Sequence, residues 1–70
     1  MNENNTGDKA LHTAYTDLSH VRALITSVAR RLTQNFSPEV VSELEALLVA
    51  EEAAKCRFTI LARTQEAHNA

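Results

Sequence analysis

The sequence predicts an all-α fold in which two long helices form an antiparallel hairpin, and two such hairpins pair into a four-helix bundle. Three observations carry this expectation. The 70 residues include one Gly, one Pro and no Trp among many Ala, Leu, Val and Glu, a composition that suits helices better than sheets. Apolar residues recur at steps of three and four through both halves of the chain, with a Ser-Pro start signal between them. The second half is also apolar on two opposite sides, more than one neighbouring helix can cover.

The opening residues 1–7 are polar and lack any apolar period, so they read as a disordered tail. Asp8 is the expected N-cap of the first helix, with Thr6 as competitor, because a carboxylate there accepts from unpaired backbone N–H groups. The first helix is expected over residues 8–35. Leu11, Ala14, Leu18, Val21, Ile25, Val28 and Leu32 form one continuous heptad seam along it. The opposite face carries Thr13, Thr16, His20, Ala23, Ser27, Arg30 and Gln34, so this helix needs a single layer of neighbours.

Residues 36–37 make the turn, and the second helix is expected over 38–68. Ser37 is suited to the N-cap and Pro38 to the first helical position, where its missing N–H costs nothing. Glu39 and Glu43 near the start, and Lys55, Arg57, Arg63 and His68 later, follow the helix dipole, while Glu51 and Lys55 are spaced for an i, i+4 pair. With Asn35 and Pro38 flanking the turn, facing residues have numbers that sum to about 73. That register sets Leu32 against Val41, Ile25 against Leu48 and Tyr15 against Phe58, and it brings Arg22 beside Glu51 as an interhelical ion pair.

Two stripes run along the second helix. Val40, Leu44, Leu47, Ala54, Phe58 and Leu61 form the inner one, and Val49, Ala53, Cys56 and Ile60 form another about 180° away. The second stripe is on the wrong side to touch the first helix of its own chain, so it is the expected homodimer interface, with the small Ala53 allowing close approach. Size points the same way. A chain this short buries only about 60% of its unfolded surface and needs reinforcement. Cys56 is the sole cysteine, which excludes an internal disulfide, and His12, His20 and His68 lack zinc-site spacing, so association is the remaining route.

No enzyme is expected, and no cofactor, metal or small-molecule substrate. Asp17, Ser19 and His20 contain the residue types of a catalytic triad, but Ser19 and His20 are consecutive and point about 100° apart on a helix. Gly7 is the only glycine, so no Gly-rich phosphate loop can form. A net charge of -2 and a pI of about 5.8, with scattered basic residues, disfavour nucleic acid. No stretch is apolar enough to cross a bilayer and the first residues do not resemble a signal peptide, so the expected location is the cytoplasm.

The function expected is that of a small regulator, inhibitor or adaptor acting as a homodimer on another protein. Its docking residues would be Thr16, His20, Ser27 and Arg30 on the first helix, or Glu43, Glu45 and Glu52 in the acidic part of the second. Two alternatives stand beside it: a nucleic-acid-binding dimer using Arg30, Arg31, Lys9 and Arg63, and a structural subunit of a larger assembly. The plan of two long helices and a short turn, dimerising into a bundle, is similar to that of the Rop family of plasmid RNA-binding regulators. The likeness is one of architecture, and it carries over no functional residue.

Overall fold

A computed structural model describes the backbone of residues 3–69 and the side chains of residues 9–67. It is an antiparallel hairpin of two α-helices, α1 (Glu3–Gln34) and α2 (Pro38–Asn69). No helix among the described residues is long and apolar enough to cross a membrane.

The start of α1 differs from expectation. The helix begins at Glu3, so Asp8 lies within it, and residues 3–7 of the expected tail are helical. An N-cap is worth only about 1 kcal/mol and one Gly costs about as much, so neither Asp8 nor Gly7 is strong enough to fix the helix end. The first two residues of the expected tail, and the side chains of Thr6, Asp8 and His68, lie outside the described residues.

At the turn, Asn35 N–H donates to the Arg31 carbonyl at 2.8 Å and closes the last turn of α1. The Ser37 carbonyl then accepts the first bond of α2 from Val41 N–H at 3.0 Å, so Ser37 holds the N-cap position. Its hydroxyl plays a different part from the one expected, donating to the Glu39 carboxylate at 2.7 Å. That bond, together with one from the Glu39 backbone N–H, holds the Glu39 pKa below the usual glutamate range.

A pH dependence follows. Because the folded pKa is depressed, the contribution of Glu39 is fully present above the ordinary glutamate value and is lost as pH falls through the folded one. An NMR titration should therefore give Glu39 a lower midpoint in the folded chain than in urea, and Ser37→Ala should move it back up. Identical midpoints in the two states would exclude this cap.

The helices meet in the register set by the turn. Arg22 Nε donates to Glu51 Oε2 at 2.9 Å, and the rings of Tyr15 and Phe58 lie 5.8 Å apart in a tilted arrangement. Both pairs have numbers summing to 73. Two further bridges, Arg31 to Glu43 at 3.4 Å and Arg57 to Asp17 at 3.5 Å, lie one step away at 74. The side chains of these three bridges are 29% to 63% exposed, so each is worth about 0 to 1 kcal/mol and serves alignment more than stability. One expected pair is replaced. Lys55 bonds Glu52 at 3.3 Å, while Glu51 is held by Arg22.

The core is thin. Among the described residues the buried hydrophobic side chains are Ala14, Leu18, Val28 and Ala54. Leu11, Val21, Ile25 and Leu32 on the α1 seam, and Val40, Leu44, Leu47, Phe58 and Leu61 on the inner stripe, are only partly covered. The reason is geometric: the molecule measures 50 × 18 × 14 Å, and its smallest dimension is little more than the diameter of one helix, about 10 to 12 Å. One layer of helices cannot enclose a core, which takes two.

Candidate interaction surface

The residues expected to form the dimer interface share one open face of α2. Val49 is 72% exposed and Ile60 63%, with Ala53 and Cys56 also exposed between them. All four lie within about 60° of one another around the helix, at 100° per residue, and point away from α1. Leu48 lies on the flank between this face and the inner stripe. The turn register sets it level with Ile25, but it is about 90° around α2 from the inner stripe and stays 46% exposed, beside Val49. Tyr15, Leu24 and Phe36 are further exposed apolar side chains, and Phe36 stands on the turn, where neither helix can cover it.

A shallow open hollow of about 260 Å³ runs beside the stripe, lined by Lys55, Cys56, Thr59, Ile60 and Arg63. A second of about 360 Å³ lies near the open end of the hairpin, lined by Lys9, Ala10, Thr13, Ala14, Arg57 and Leu61. The Cys56 thiol donates to Glu52 at 3.9 Å, a local contact on the same helix.

The excess surface can be weighed. The chain exposes 5301 Å², whereas a compact monomer of 7.7 kDa is expected to expose about 4,300 Å². The difference, about 1,000 Å², reflects the elongated shape of the hairpin as a whole.

The candidate docking residues of the two helices are not brought together. Thr16, His20, Ser27 and Arg30 are all exposed along the edge of α1 that faces away from α2. Glu43, Glu45 and Glu52 are exposed on α2, but Glu43 is tied across the hairpin to Arg31 and Glu52 along its own helix to Lys55. Glu45 has no ion-pair partner among the described residues. Asp17, Ser19 and His20 are all exposed, with Asp17 held by Arg57. No group of three or more potential metal ligands occurs among the described residues.

Sequence reasoning did not pick out the exposure of Leu48, nor Phe36, nor the Asp17 to Arg57 and Arg31 to Glu43 bridges. The bridges could have been found by applying the turn register to every charged residue, whereas the exposure of Leu48 depends on how α2 is rotated about its axis. Comparison with known protein families, curated proteins and solved structures finds no match for the chain.

Proposed function

We propose that the protein is a cytoplasmic, non-enzymatic regulator, inhibitor or adaptor that works as a homodimer and binds another protein. The observation that carries this is the uncovered stripe of Val49, Ala53, Cys56 and Ile60 on α2. A second copy is the simplest cover, since like surfaces related by a twofold axis satisfy each other. Dimerisation occupies the free edge of α2 and leaves the polar edge of α1 open. Thr16, His20, Ser27 and Arg30 then stand twice on the dimer as a polar docking surface.

Nucleic acid is the weaker alternative. Of the cations it would use, Arg31 is bridged to Glu43, and a net charge of -2 gives no long-range attraction for phosphate. Size exclusion with light scattering tests the dimer: a mass near twice 7.7 kDa that falls on dilution is expected, and a monomer at every concentration would end the proposal. Retention on RNA or DNA at low salt, lost at moderate salt, would favour the alternative instead.

A further inference from the structure

The open stripe on α2 reads the same from either end. Val49, Ala53, Cys56 and Ile60 are separated by steps of four, three and four, with the larger side chains outermost and the smaller ones central. We propose that two copies of this chain pair through the stripe with their α2 helices antiparallel, about a twofold axis between Ala53 and Cys56. Val49 of each copy then lies against Ile60 of the other, and Ala53 against Cys56, so facing residues have numbers summing to about 109. The proposal deepens the dimeric reading above and rests on it.

Three features fit this pairing, and the second of them selects the antiparallel orientation over the parallel one. The first is shape. The 260 Å³ hollow is lined by Cys56, Thr59, Ile60 and Arg63, the i, i+3, i+4 and i+7 positions that enclose a hole on a helix surface, with Lys55 at its rim. Its centre falls between residues 59 and 60, and an antiparallel partner in the 109 register presents Val49 there as the knob. The small Ala53 and Cys56 on the axis let the two backbones approach.

The second is charge. The half of α2 before the axis carries Glu39, Glu43, Glu45, Glu51 and Glu52 and no basic residue, while the half after it carries Lys55, Arg57 and Arg63 against Glu66. Antiparallel pairing lays the acidic half of one copy along the basic half of the other and opposes the helix dipoles, whereas parallel pairing stacks like on like. Within its own hairpin, neither Glu45 nor Arg63 has an ion-pair partner among the described residues, although the other cations of α2, Lys55 and Arg57, are bridged. Glu45 and Arg63 lie on the same flank of the stripe and sum to 108. An antiparallel pairing brings like flanks together, so each Glu45 meets the Arg63 of the other copy, twice per dimer.

The third is position. The centre of the stripe, between residues 54 and 55, is about one residue from the midpoint of α2 (Pro38–Asn69), so two antiparallel copies overlap along almost all of their roughly 48 Å. α1 then stands on the outer edge of each hairpin, and its face bearing Thr16, His20, Ser27 and Arg30 stays clear of the joint.

Disulfide trapping tests the orientation. In a Cys56→Ser background, Val49→Cys and Ile60→Cys chains are oxidised separately and after mixing, and linked dimers are counted on a non-reducing gel. A bond needs Cα atoms about 4.4 to 6.8 Å apart, and residues 49 of two antiparallel copies stand about 16 Å apart along the axis. The mixture should therefore link at least tenfold more than either chain alone. Linking of each chain with itself would show parallel pairing and overturn the proposal while leaving the dimer. No linking in any sample, with the proteins still dimeric by light scattering, would overturn it by showing that another surface holds the dimer. A monomeric parent would instead remove the dimeric reading itself. Charge reversal gives a second readout. Glu45→Arg and Arg63→Glu should each raise the dimer dissociation constant about two- to fivefold, and a chain carrying both should recover; failure of the double variant to recover would exclude the 108 contact.

Discussion

Replacing Ile60 by glutamate should convert the dimer into a monomer while leaving the hairpin helical. Ile60 is 63% exposed in the single hairpin, so the substitution costs the isolated fold little, within about 0.5 kcal/mol as for other surface changes. In the proposed dimer the same position is buried in both copies. Losing two isoleucine contacts of about 2 kcal/mol each raises the dissociation constant roughly a thousandfold, before the cost of placing a carboxylate in the joint is counted. Light scattering and circular dichroism on the same samples read the two effects separately. Ala23→Glu is the matched control, since Ala23 is exposed on the opposite edge, along α1; it should change neither mass nor helicity. An Ile60→Glu chain with the parent's mass at every concentration would show that the stripe is an ordinary surface.

Replacing Leu18 by alanine should remove most of the stability of the hairpin itself. Leu18 is 5% exposed and is the largest aliphatic side chain in a core whose other buried members are Ala14, Val28 and Ala54. Leu to Ala in a core costs about 2 to 5 kcal/mol, and a core open on both sides relaxes enough to favour the lower end. A single core in a chain of this size rarely supplies more than about 3 to 5 kcal/mol in total. The melting temperature should accordingly fall by about 10 to 20 °C, with a matching loss of urea midpoint. Thr16→Ala, on the exposed edge of the same helix, should leave the midpoint almost unchanged. A Leu18→Ala chain melting within a degree or two of the parent would mean that contacts outside the α1–α2 seam hold the fold.

The two positions differ because they stand on helices of different character. α1 has one apolar side, so its spacing alone identified Leu11, Ala14, Leu18, Val21, Ile25, Val28 and Leu32 as the seam, and all of them are buried or partly buried. α2 is apolar on two opposite sides, and there the spacing yields two stripes without saying how completely either is covered. The turn register supplied the missing link. From the positions of Asn35 and Pro38 alone it placed Arg22 beside Glu51 and Tyr15 beside Phe58, and both contacts are present. It did not foresee that Leu48 stays 46% exposed, because a register sets height along a helix and leaves rotation about the axis undetermined. It also could not show that Lys55 would bond Glu52, since i, i+3 and i, i+4 partners compete.

The order of residues by itself determined two helices, their antiparallel return at Ser37 and Pro38, and their alignment to within one residue, because helical periodicity, capping chemistry and chain connectivity are local properties. Only the tertiary structure decided how much of each side chain two helices can hide. A layer one helix thick buries four side chains among those described and leaves Val49, Ile60 and Leu48 in water, since covering a helix on both sides takes atoms that one hairpin does not have.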